Sequence, residues 1–175
     1  MARTVPETAT KASTDYLSGA LWNAGSKALG DFLLNVPAFR SIQSTAQSLA
    51  SGSWTAMALN STGIDSEGGH SDTVNNSRYT CQVAGWYWVE GYFATNGGAQ
   101  TRFECLITKN AAGVAGSAQF ISKFNDLESL SGGAAVQLAV GDYVEVWGRQ
   151  NSGTTLNTFP GTDLCPSMNV FWIHA

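Results

Sequence analysis

Few residues here could do chemistry: two histidines, three cysteines and 13 carboxylates in 175 residues. His70 lies among Asp65, Glu67 and Asp72, oxygen donors of the kind that bind a hard cation. Their spacing is not that of a calcium-binding helix-loop-helix, so a solvated turn is the plainer reading. His174, next to last in the chain, reads as a packed or terminal imidazole. Glu90 and Glu104 fall in strand-like stretches, and glycoside hydrolysis uses two carboxylates, but nothing in the sequence brings these two together. There is no Gly-x-Ser-x-Gly nucleophile turn and no phosphate-cradling glycine loop. Cys81, Cys105 and Cys165 lack any C-x-x-C spacing, which disfavours structural zinc. They read as free buried thiols, with a Cys81–Cys105 bridge left open in case their strands are neighbours. The expectation is a non-enzyme with no catalytic residue, no cofactor and no metal.

Composition narrows the partners. The 9 basic and 13 acidic residues give a net charge of −4, and charged residues make up only 13% of the chain. A nucleic-acid binder gathers basic residues on one face, and no such cluster is present. No apolar run approaches the ~20 residues a membrane helix needs. The opening residues, with an early Arg3 and Glu7, do not read as a secretory leader. The expectation is synthesis and assembly in the cytoplasm of the producing cell, with no nucleic acid bound and no membrane insertion.

The elements fall into two parts. In residues 1–43, Thr14 and Asp15 could cap a short helix carrying Tyr16, Leu17, Leu21 and Trp22. A second helical stretch over residues 24–34 carries Leu29, Phe32 and Leu33 and ends before Pro37. Gly19, Gly25 and Gly30 interrupt these helices, and each glycine costs about 1 kcal/mol against alanine. Such short helices need something to pack on. The segment therefore reads as a docking arm, with Tyr16, Leu17, Leu21, Trp22, Leu29, Phe32 and Leu33 as its contacts; folding back on its own body is the alternative. From residue 44 the period changes to two. Strands are expected over 46–59, 78–83, 85–94, 101–109, 118–124, 134–140, 143–149 and 169–174, with a loop over 60–76. Between them sit glycine-rich turns, among them Ser131-Gly132-Gly133 and Gly141-Asp142. This pattern predicts an all-β sandwich over residues 44–175.

Two of these strands are apolar on both faces. Tyr87, Val89 and Phe93 alternate with Trp86, Trp88 and Tyr92, and Val170 and Trp172 alternate with Phe171 and Ile173. An ordinary sandwich strand keeps one wet face. A monomer exposing these aromatics would carry a large sticky patch. The ten residues are therefore expected at a contact between identical copies.

The run bearing Tyr79, Cys81, Val83, Gly85, Tyr87 and Val89 resembles the signature strand pair of the tumour necrosis factor and complement-globular-head superfamily. There an aromatic opens a strand, a turn ends in glycine, and Tyr and a second apolar residue follow at alternate positions. Ile107-Thr108-Lys109-Asn110, the hairpin Leu138-Ala-Val140-Gly141-Asp142-Tyr-Val144 and the closing Asn169-Val170-Phe171-Trp172-Ile173 are similar to that family's later elements, in the same order. The resemblance implies a trimeric jelly roll, to which the short, partly helical arm read from residues 1–43 is an extension. The arm itself, with Asp15-Tyr-Leu-Ser-Gly-Ala-Leu-Trp-Asn and Ala28-Leu-Gly-Asp-Phe-Leu-Leu-Asn, resembles the start of small virion proteins of tailed bacteriophages. That implies a virion-surface head attached to a major capsid or tail protein. Its role would be capsid decoration or, as the alternative, a tail-associated head adhering to a host surface protein or glycan.

Overall fold

A computed structural model describes residues 4–7, 16, 18–97, 102–122, 128–161 and 163–175. Thr14, Asp15 and Leu17 lie outside the described residues. The helical arm is one continuous rod: α1 (Gly19–Trp22), a π-helical turn (Asn23–Lys27) and α2 (Ala28–Leu34). Ser18 caps it, its Oγ accepting from Leu21 N at 3.2 Å. The three glycines therefore do not break the helix, and beyond the helix's own backbone a Cβ at any of them would meet nothing within 4 Å. Asn35 ends the helix, and Pro37 cannot continue it.

Among the described residues the strands are β1 (Ala38–Ile42), β2 (Ser48–Leu49), β3 (Thr55–Ala56), β4 (Ser61–Asp65), β5 (Arg78–Thr80), β6 (Gly85–Thr95), β7 (Phe103–Lys109), β8 (Ala112–Gly113), β9 (Gln119–Ile121), β10 (Glu128–Leu138), β11 (Tyr143–Gln150), β12 (Leu156–Asn157) and β13 (Ser167–His174), of which β2 and β12 pair only with each other. One sheet runs β10-β6-β13-β1-β4; the other runs β3-β11-β7-β8, with β5 beside β11 and β9 beside β7. All pairings are antiparallel, the layout of a jelly roll.

β1 was not among the expected strands. It lies inside residues 1–43, yet it sits between β13 and β4, so the sandwich begins at Ala38 rather than at residue 44. Its alternation is masked because a polar side chain, Ser41, is buried beside Phe39. The stretch 46–59 forms only the two-residue strands β2 and β3. Side chains satisfy its backbone instead: Gln47 Oε1 accepts from Ala58 N at 3.0 Å, Gln47 Nε2 donates to Ala56 O at 3.0 Å, and Gln150 Nε2 donates to Leu49 O at 2.9 Å. Gly132 and Gly133, expected in a turn, lie within β10. A Cβ on Gly132 would sit 2.6 Å from Ser117 O, and one on Gly133 would sit 3.0 Å from the Trp88 ring. These glycines serve close approach.

The core lies between the sheets. Phe39, Tyr87, Val89, Phe93, Met168 and Val170 from the first meet Tyr79, Phe103, Cys105, Ile107, Val144 and Val146 from the second. Phe93 stacks on Phe103 with centroids 4.3 Å apart, and Phe39 on Tyr79 at 4.9 Å. Gly91 permits this packing, since a Cβ there would strike Val146 and come within 2.9 Å of Ile107 Cδ1.

Candidate interaction surfaces

Tyr87, Val89, Phe93 and Val170 point inward and are fully buried. They build the core and are removed from the expected contact between copies; alternation along β6 and β13 turns one face of each strand to the other sheet. Trp172 also turns inward, at the edge of the core. Its indole meets Phe32 edge-on at 5.1 Å, and its Nε1 donates to Ala84 O at 3.4 Å. The residues left on the outer face are Trp86, Trp88, Tyr92, Phe171 and Ile173. Trp88 is 44% exposed, Phe171 42% and Ile173 48%.

These side chains stand in rows set by strand register. Trp88 of β6, Phe171 of β13 and Ala38 of β1 form one row. Glu90, Asn169 and Arg40 form the next, and Tyr92, Ser167 and Ile42 the third. The lower two rows border a notch of about 240 Å³ that Ser131, Asp163 and Cys165 also line. Register thus places an anion and a cation on either side of β13, and the sequence reading missed Arg40 altogether. With Ser41 masking the alternation of β1, no local pattern marked Arg40.

The arm is attached at its end. Phe32 is buried on Trp172, and Pro37 O accepts from Trp172 N at 3.0 Å. Phe32, expected to dock on another protein, thus packs on its own body. Leu21 and Leu29 are partly buried, and Tyr16 is exposed. Trp22 is 50% exposed, Leu33 58% and Leu34 89%.

The residues first weighed for chemistry do not converge. Glu90 stands on the outer face of the first sheet, whereas Glu104 stands on that of the second, with the core, about 10 Å thick, between them. Glu104 is paired with Arg102 at 2.8 Å and Arg149 at 3.4 Å. Glu145 is held by Ser77 at 2.6 Å, the Trp147 indole N–H at 3.0 Å and Arg78 at 3.4 Å. Both carboxylates are buried under their partners and knit the second sheet's outer face. His70 is not in a solvated turn. Its ring is buried, Nδ1 lies 2.7 Å from Arg78 O and Nε2 lies 3.1 Å from Leu59 O. The carboxylate of Asp65 is occupied by Gly69 N and His70 N, both at 3.0 Å. Among the described residues no group of three His, Cys, Asp or Glu side chains is arranged to hold a metal. His174 is exposed, beside Trp86.

Cys81, Cys105 and Cys165 are free and buried, so the Cys81–Cys105 bridge does not form. Burial raises the Cys81 thiol above its ordinary value and pushes Cys105 up to about 12. Neither is an activated nucleophile. A cavity of about 520 Å³ opens at the end of the sandwich where Thr4 and Val5 meet Gly85, Leu138, Val140 and Ala175. Its lining is mostly apolar, and its two charged groups, Lys109 and Asp142, pair with each other at 2.8 Å.

No family model matches the sequence, and no curated protein matches it. Solved structures do match the fold. The globular domain of zebrafish complement 1qA aligns at 19% identity with a TM-score of 0.54, over 79% of this chain and 98% of that one. Eiger TNF from S. frugiperda aligns at 11% identity with a TM-score of 0.58, over 79% and 94%. Murine APRIL aligns at 9% identity with a TM-score of 0.54, over 77% and 98%. The sandwich is thus similar to the jelly rolls of tumour necrosis factor and complement heads, and the likeness is one of fold.

Proposed function

We propose that this chain is a structural, non-enzymatic head that assembles as a trimer through the outer face of its first sheet and is tethered by its N-terminal helix to a larger particle. The observation that carries this reading is the apolar, largely aromatic outer face: Trp88, Phe171 and Ile173 are each more than two-fifths exposed on neighbouring strands. Aromatic anchors at such density are typical of protein contacts. The jelly-roll fold supports the trimer, and the exposed Trp22, Leu33 and Leu34 of the arm support the tether. The particle is the virion of a tailed bacteriophage, as the arm's resemblance implies, with capsid decoration as the role. Host adhesion is the lesser reading, because Phe159, in the stretch between β12 and β13, is half-buried rather than displayed.

Sedimentation tests the assembly: the wild type runs as a trimer and Trp88→Asp as a folded monomer. A Trp88→Asp protein that remains trimeric refutes the assigned face. For the tether, Trp22→Ser, Leu33→Ser and Leu34→Ser combined leave the trimer intact and abolish incorporation into particles. Undiminished incorporation refutes the arm's role.

A further inference from the structure

The outer face of the first sheet is asymmetric about β13, and the asymmetry matches itself. On the β6 side stand Trp88, Glu90 and Tyr92; on the β1 side, in the same register rows, stand Ala38, Arg40 and Ile42. Each row thus offers a large ring against a small side chain, an anion against a cation, or a ring against an aliphatic chain. Neither Glu90 nor Arg40 has an ion pair or side-chain hydrogen bond among the described residues, and they stand two strand spacings apart, roughly 10 Å. The side chains also lean outward from β13. The Trp88 ring lies over Gly133 of β10, and Arg40 Nη1 reaches over Gly63 of β4, 3.7 Å from where a Cβ would be.

Three copies around one axis, each presenting β13 to it, meet flank to flank. Cyclic symmetry then sets the left flank of one copy against the right flank of the next, always at the same height when the strands run along the axis. Residues of one register row share a height. We propose that Glu90 of each copy pairs with Arg40 of its neighbour, three times around the trimer, with Trp88 of each copy seated over its neighbour's Ala38. The occupant of the notch at Glu90, Tyr92 and Asn169 is therefore a second copy of this chain. The inference rests on the trimer proposed above and adds its handed register.

The test is a charge swap in the full-length protein, read by sedimentation velocity across a concentration series, with circular dichroism confirming the fold. Arg40→Glu and Glu90→Arg each place like charges together at three sites and raise the concentration needed for half-assembly at least about 100-fold. The double variant, Arg40→Glu with Glu90→Arg, restores assembly to within about tenfold of wild type. Added salt weakens the wild-type trimer. Single variants that assemble as well as wild type, or a double variant no better than its parents, overturn the pairing while leaving the trimer standing. A trimer abolished by Asp163→Asn instead means that Arg40 pairs elsewhere, and the proposal fails. A wild type that stays monomeric at every concentration sinks the trimer and the pairing together.

Discussion

Asp142 shows how a single side chain is tied to the fold. Its carboxylate accepts from Lys109, Ala139 N and Asn110, contacts that hold it down to about 2. The Lys109 hydrogen bond is the largest of these effects. The folded value lies below the ordinary one, so this contribution to stability is complete above about pH 4. It fades as pH falls toward 2. Asp142→Asn should flatten the acid limb of a stability-against-pH curve, measured by urea unfolding, by the share that wild type loses there. Gly91 makes a different demand. Gly91→Ala drives a methyl into Val146 and Ile107 and should cost about 2 kcal/mol in urea melts. The thiols at Cys81, Cys105 and Cys165 should resist disulfide-exchange reagents in native protein and react on unfolding, since all three are buried.

At the scale of elements, the hairpin joining β7 and β8 turns on Asn110 (φ 49) and Ala111 (φ 65). Two left-handed residues suit Asn-Gly rather than Asn-Ala. Ala111→Gly should therefore stabilise the protein by about 1 kcal/mol, visible as a higher Tm. Phe32 is the buried residue of α2 and meets Trp172, so Phe32→Ala should detach α2 from Trp172. Loss of helical ellipticity and a red-shifted indole emission would report it, with the sandwich still folded. Long period-two runs, such as β6, β7 and β11, were plain in the sequence because burial of alternate residues fixes that pattern. The connection between β1 and β4 was not, because Gln43, Gln47 and Gln150 spend their side-chain amides on its backbone, a long-range arrangement with no local signature. The candidate surface was half legible for the same reason. Two-faced strands are visible in one dimension, but which face is outer, and that Arg40 stands two strands from Glu90, follow from pairing between residues far apart in the chain.

The whole molecule has a direction. The helix enters β1 at Ala38, register partner of Phe171, and β13 ends only a few residues beyond that point. Both chain ends of the sandwich therefore leave from one pole, together with the turn at residues 139–142. The far pole carries the ends of β1, β6 and β11, and the turn around Asn151. A fusion at Ala175 would share the arm's pole, whereas a peptide spliced in at Gly153 would point the opposite way. The antiparallel register of β1 with β13 thus makes the head a display scaffold. Cargo placed on the distal turns would face away from the arm, in three copies if the chain assembles as the trimer proposed above.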